Sequence, residues 1–169
     1  VVLYTTGPRF ESWRVDLELK KFMRKYMNIR IKRIDKDLPL PEYKTAGAVA
    51  FDLAARVAVT VPSHAVAYIP LNVVIEPPEG YYVAMVARSS LHKRGLMSAT
   101  GFSVGDADFT GNSDEYVAAL YNFTDADIVV ERGDRIMQVG VSPYVRVDFT
   151  EVDDMGNKSR GGFGTTGKQ

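Results

Sequence analysis

Tyr116-Val117-Ala118-Ala119-Leu120-Tyr121-Asn122-Phe123 is an apolar run closed by the turn formers Thr124-Asp125. Ile128-Val129-Val130 is a second, closed by Arg132-Gly133-Asp134, and Ile136 to Val141 is a third. Short runs rich in β-branched and aromatic residues, punctuated this often by turn residues, read as strands. Many of them in succession predict an all-β sandwich or barrel.

The pattern extends in both directions. Upstream lie Asn28–Ile34, Ala48–Ala55, Val57–Val61, Ala65–Pro70, Val73–Ile75 and Tyr81–Ala87, with turns at Pro62-Ser63 and Pro77-Pro78-Glu79-Gly80. Downstream, Val145–Phe149 reads as one more strand. Leu38-Pro39-Leu40-Pro41 is extended, because proline excludes helix there. One short helix is expected from Ser89 or Ser90 to Arg94, ended by Gly95. There is no internal repeat.

The ends differ from this body. Val15, Leu19, Phe22 and Tyr26 recur at helical spacing behind a potential N-cap at Ser12, with Lys20, Lys21, Arg24 and Lys25 near the end. Residues 1–26 are therefore expected as an extension carrying an amphipathic helix over 12–26, docked on the domain or on a neighbouring subunit. Met27 is expected as the native start. The β domain spans 27–152. Residues 153–169 form a glycine-rich arm holding Gly161, Gly162, Gly164 and Gly167, the hydroxyls of Thr165 and Thr166, and cations at Lys158, Arg160 and Lys168. Two readings of it stand side by side: a flexible terminus, or a loop that wraps phosphate and closes over a ligand, with Phe163 covering a ring.

Composition narrows the chemistry. The chain has 169 residues, 46% of them apolar and 25% charged, as ordinary globular domains do. Lys+Arg and Asp+Glu both number 21, so the balance gives no reason to expect nucleic acid or an anionic membrane as partner. The absence of cysteine excludes disulfides, thiol catalysis and Cys-bound zinc, and with only His64 and His92 a multi-histidine metal site is not expected. No apolar run has the length of a membrane span and no signal-peptide core is seen, so a cytoplasmic setting is expected.

Four stretches carry candidate chemistry. Val104-Gly105-Asp106-Ala107-Asp108-Phe109-Thr110-Gly111 has two carboxylates two apart, which would point the same way in extended chain; alone, it equally describes a solvated acidic turn. Arg88-Ser89-Ser90-Leu91 offers a guanidinium fork, two hydroxyls and free N–H groups to an anion, or else a Ser N-cap beside a surface Arg. Asp52 stands among apolar neighbours and needs a cation, a metal-bound water or an Arg. Gln138 is polar within an apolar strand and needs a partner, while Asp134 and Arg135 are placed to pair with each other.

Taken together, these stretches resemble the trimeric dUTPase family over nearly all of Met27 to Gln169. Five ordered motifs of that family have counterparts here. Thr45-Ala46-Gly47…Ala50-Phe51-Asp52-Leu53 resembles the first, and Ala87-Arg88-Ser89-Ser90-Leu91 the second. Asp106-Ala107-Asp108-Phe109-Thr110-Gly111 is similar to the third. Arg132-Gly133-Asp134-Arg135-Ile136-Met137-Gln138 is similar to the fourth, and Gly161-Gly162-Phe163-Gly164-Thr165-Thr166-Gly167 to the fifth. One motif is weak; five in order are specific.

The resemblance implies an all-β, distorted jelly-roll-like barrel that hydrolyses dUTP to dUMP and pyrophosphate with Mg²⁺. By the same resemblance Asp106 activates the water that attacks the α-phosphorus. Arg88, Ser89, Ser90 and Gln138 hold phosphates, and Asp52 lies in the outer shell of the metal. The hairpin with Thr100, Val104 and Gly105, together with the backbone near Val117, reads uracil. Phe109 packs on the deoxyribose, with Asp108 shaping the hairpin. Lys158 or Arg160, with Phe163, Gly164, Thr165 and Thr166, closes the site. A homotrimer with shared active sites is implied.

The sequence departs from the family pattern at several places. Phe109 stands for Tyr, Ala87 for Pro, Ser90 for Gly, Thr100 for Asn and Gly105 for an apolar residue. Asn112-Ser113-Asp114 is inserted after the third motif, and Lys158 occupies the position of the arm's Arg. Two other readings compete. Arg88–Met97 also resembles dCTP deaminase, but the Glu that deamination needs three residues before the strand Asn is Ala119 here, counted from Asn122. A catalytically weak, nucleotide-sensing or partner-binding trimer is the other.

Overall fold

A computed structural model describes residues 27–161. The expected helix over 12–26 and the arm residues Phe163, Gly164, Thr165 and Thr166 lie outside the described residues. Eleven strands and one 3₁₀ turn follow one another: β1 (Arg30–Arg33), β2 (Phe51–Ala54), β3 (Val59–Val61), β4 (Val66–Pro70), β5 (Val73–Glu76), β6 (Tyr81–Ala87), the turn Leu91–Arg94, β7 (Leu96–Ser98), β8 (Phe102–Gly105), β9 (Val117–Asn122), β10 (Ile128–Val130) and β11 (Arg135–Pro143). The all-β expectation holds, and β6 and β10 occupy the expected ranges.

All pairings are antiparallel. The largest sheet has the order β2-β11-β6-β8, a second is β4-β9-β7, and two ribbons, β1-β5 and β10-β3, complete the jelly-roll-like body. The period-2 pattern decides which face is inside. On β6 it buries Val83 and Met85; on β9 it buries Ala118, Leu120 and Asn122. All of these but Asn122 meet Leu53, Ile69, Ile75, Leu96, Ile136 and Val139 in one core. Burying a side chain of this size contributes about 1.5–3 kcal/mol.

Two buried asparagines are satisfied by hydrogen bonds. Asn122 is fully buried; its amide donates to the carbonyls of Val61 (3.0 Å) and Ala126 (2.7 Å), and its oxygen accepts from Thr124 N and Oγ1. Asn72 adopts φ 67 and exchanges hydrogen bonds with the backbone of Asp35. Gly95 ends the 3₁₀ turn at φ 80, and a Cβ there would meet Thr124 Cγ2 at 2.3 Å, so both conformation and room demand glycine.

Two expectations are corrected. Val145–Phe149 is not a strand: residues 144–149 join no ladder, and Val145, Val147 and Phe149 are 87%, 64% and 93% exposed. Their alternation is real, but no strand edge among the described residues receives them. Asp134 and Arg135 do not pair with each other, because successive side chains leave a strand on opposite faces. Asp134 meets Arg94 at 2.8 Å and Arg135 meets Asp52 at 3.0 Å.

Candidate active site

Strand register puts Asp52 and Gln138 directly opposite one another on β2 and β11, hence on one face. Val86 of β6 faces Gln138 from the other side, and Arg88, two residues on, follows the same alternation. The amide of Arg88 bonds the carbonyl of Ile136 at 3.1 Å, which carries the ladder one step past β6. Asp52, 9% exposed, is the only buried carboxylate among the described residues. Its Oδ2 accepts from Arg135 Nη1 at 3.0 Å and lies 3.2 Å from Arg88 Nε. Arg88 Nη1 donates to the carbonyl of Arg135 at 3.2 Å. Of the three partners open to Asp52 from sequence, an arginine is the one found, and there are two.

Two guanidiniums over one carboxylate leave a net positive charge. Ser89 and Ser90 are exposed beside it, and Ser90, at the N-cap position, makes no side-chain capping bond, so the capping reading of its hydroxyl falls away. Gln138 is half-buried on the same face. This is an anion cradle of fork donors and hydroxyls. As for a cation, both arginines use Oδ2, leaving Oδ1 outside those contacts, and among the described residues no three His, Cys, Asp or Glu groups gather. Such a donor set fits a hydrated divalent ion brought in by an anionic ligand, not one caged by protein.

The second group of predicted residues gathers elsewhere. Thr100, Val104, Gly105, Asp106, Phe109 and Val117 all line one cleft of about 390 Å³, between β8 and β9. Asp106 follows β8 directly and is exposed, and Phe109 N donates to its carbonyl at 3.1 Å. Residues 106–109 are therefore a tight turn, so the same-side geometry expected of an extended Asp106 and Asp108 does not apply. The carboxylate that ties the segment is not Asp108 but Asp114, whose Oδ2 accepts from Gly111 N at 2.6 Å. Asp114 belongs to the inserted Asn112-Ser113-Asp114, whose first residue also takes a bond from Lys32 Nζ at 2.6 Å. At the other end of the cleft, the hydroxyls of Ser98, Thr100 and Ser103 form a relay of 3.0 and 2.8 Å.

Sequence reasoning missed the floor of this cleft. Tyr116, 5% exposed, packs edge-to-face on Phe109 with centroids 5.4 Å apart. A Cβ on Gly105 would fall 2.1 Å from Tyr116 Oη, so glycine is there to make room. Burial first, and the negative charge of Asp106 second, push the Tyr116 phenol up to about 12. Beside it Glu115 is locked by Arg56 in a two-pronged pair (2.7 and 3.0 Å) and by Asn72 N at 2.8 Å; that bond to Glu115 is the main reason the Arg56 guanidinium stands above its ordinary value. The signal in the sequence was a small residue at 105 together with a large one at 116, meaningful only once the two are known to touch.

The cradle and the cleft hang from the two ends of β6. Gly105 pairs with Val83, which sets Asp106 against Tyr82, whereas Arg88 lies beyond Ala87. Six residues of strand separate them, about 20 Å at 3.3 Å per residue. Lys158 and Arg160 are exposed on the described part of the arm.

Comparison with known proteins gives concordant matches. The profile of the dUTPase family matches residues 36–167. A deoxyuridine 5'-triphosphate nucleotidohydrolase from Dictyoglomus turgidum is 36% identical over 148 residues, covering 83% of this chain and 99% of its own. Among solved structures, a dUTPase from Streptococcus mutans superposes with a TM-score of 0.64 at 27% identity, over 70% of this chain and 98% of that one. A variant dUTPase from phage phi11 of S. aureus, in which a structural Mg(II) ion is coordinated, shares the fold with a TM-score of 0.65 at 16% identity, over 76% and 99% of the two chains.

Proposed function

The chain belongs to the dUTPase family, and from that membership we propose the following course for its reaction. It hydrolyses dUTP to dUMP and pyrophosphate. The uracil and deoxyribose occupy the cleft, with Thr100, Val104, Gly105 and the backbone at Val117 against the base and the Phe109 ring against the sugar, leaving no room for a 2′-hydroxyl. Asp106 takes a proton from the water that attacks the α-phosphorus. Arg88, Ser89, Ser90 and Gln138 bind the phosphate oxygens and the charge that develops on the departing pyrophosphate. Asp52 would help hold, through water, the Mg²⁺ that the triphosphate brings, and the ion would supply neutralisation of part of the phosphate charge. The arm, with Lys158 or Arg160 and with Phe163, Gly164, Thr165 and Thr166, closes over the nucleotide.

The observation that carries this reading is the division of the site along β6. A base and a triphosphate bound together cannot use a water-activating Asp106 and a phosphate cradle about 20 Å apart on one strand. The cleft of one copy facing the cradle of another removes the difficulty, which supports sites shared between copies; the shared-site assembly proposed is the homotrimer that the family resemblance implies. The deaminase alternative is weakened in the same cleft. Ala119 stands in its wall where an acid would be needed, and Glu115, the carboxylate nearby, is held by Arg56 and Asn72.

One incubation tests it. With dUTP, dCTP and Mg²⁺, release of pyrophosphate from dUTP without ammonia from dCTP is expected, and light scattering should give three times the chain mass. Ammonia from dCTP would replace this reading with deamination; tight binding without either product would favour a sensor.

A further inference from the structure

Two buried side-chain polar atoms among the described residues lack a hydrogen-bond partner: Arg88 Nε, which has Asp52 at 3.2 Å, and Tyr116 Oη. The second has no such explanation. A buried hydroxyl without a partner destabilises the fold, and phenylalanine would fill the same space without that penalty. Its surroundings are also fixed with care. Tyr116 N donates to the carbonyl of Val73 and Leu71 N donates to the carbonyl of Tyr116, both at 2.9 Å, so the backbone is clamped on both sides. Phe109 packs on the ring, and Gly105, by lacking a side chain, opens the space in which the hydroxyl sits. The residue after that opening is Asp106.

We propose that Tyr116 is a positioning residue of this chain: its hydroxyl donates a hydrogen bond to the Asp106 carboxylate when nucleotide fills the cleft, and so aims that carboxylate at the attacking water. The inference rests on the reading of Asp106 given above. The phenol remains protonated, and hence a donor, throughout the physiological range. The competing acceptor in the cleft, Glu115, is already taken by Arg56 and Asn72 N. A donor held in place before the reaction needs no reorganisation during it, which is the condition for useful transition-state stabilisation.

Tyr116→Phe tests the hydroxyl alone. Turnover of dUTP should fall about tenfold with KM within about twofold, while the melting temperature stays equal or rises. The same substitution in an Asp106→Asn background should leave the residual turnover unchanged, because the group through which the hydroxyl acts is gone. An unchanged kcat in the single variant, or additive losses in the double, would overturn the proposal. A wild-type protein that does not hydrolyse dUTP at all would instead overturn the reading of the site on which it rests.

Discussion

Gly105→Ala is expected to destabilise the protein by an amount set by a single ring. The added methyl would lie 2.1 Å from Tyr116 Oη, 2.6 Å from Cε1 and 2.7 Å from Cζ, against an ordinary contact of 3.4–4 Å. The ring must therefore retreat by more than an ångström. Its backbone is tied to Val73 and Leu71, and its face to Phe109, so it has little freedom to do so. The loss belongs at the upper end of overpacking, about 2–3 kcal/mol. Tyr116→Leu alone leaves a cavity and costs about 2–4 kcal/mol. Combined, the two changes relieve each other: the clash disappears and the alanine methyl fills part of the vacated space. The double variant should lie at least about 1.5 kcal/mol above the sum of the single losses. Urea unfolding of the four proteins at one fixed protein concentration measures this, since the proposed assembly would itself contribute to stability. Additivity within about 0.5 kcal/mol would refute the idea that Gly105 exists to accommodate Tyr116.

Three further outcomes are expected. Asp106→Asn should lower turnover of dUTP about 10²–10⁴-fold while preserving nucleotide binding by calorimetry; near-normal turnover would remove Asp106 from its role. Asp52→Asn leaves Arg88 and Arg135 facing each other without their shared carboxylate, and should cost about 1.5–3 kcal/mol in a melt without nucleotide. That is less than for a fully buried triad, because Arg135 is 42% exposed and screened by solvent. The third concerns alkaline pH. Tyr116 titrates near 10 when unfolded and about 12 when folded. Above pH 10 the unfolded chain releases a proton that the folded one keeps, so stability is full below pH 10 and declines toward pH 12. The difference between wild type and Tyr116→Phe should change by about 2–3 kcal/mol across that window, read from urea melts between pH 8 and 12.

The body of the fold was legible because its determinants are local. Turn residues at Pro77–Gly80 and Arg132–Asp134 and the alternation within Tyr81–Ala87 suffice to mark strands. Val145–Phe149 shows where such reasoning ends. Alternation reports that one face of a segment needs cover; it does not say whose atoms supply it. β7 and β8 went unmarked because Leu96–Ser98 is short and Phe102–Gly105 places most of its side chains in solvent. The candidate site was legible as residue types at motif spacing, which is how Asp106, Arg88 and Gln138 were found. Its supports were not: Arg135 on Asp52, Arg56 on Glu115 and Tyr116 on Gly105 join residues 83, 59 and 11 positions apart, and only the tertiary fold brings them together.

The spacing of Asp106 and Arg88 along β6 also reaches into genetics. A copy of this chain without Arg88 and a copy without Asp106 would each be dead alone, yet each retains what the other lacks. If each site is built from the cleft of one subunit and the cradle of the next around a ring of three, every mixed trimer contains one intact site. Two null alleles co-expressed in a cell lacking its own enzyme would then restore growth, whereas either with itself would not.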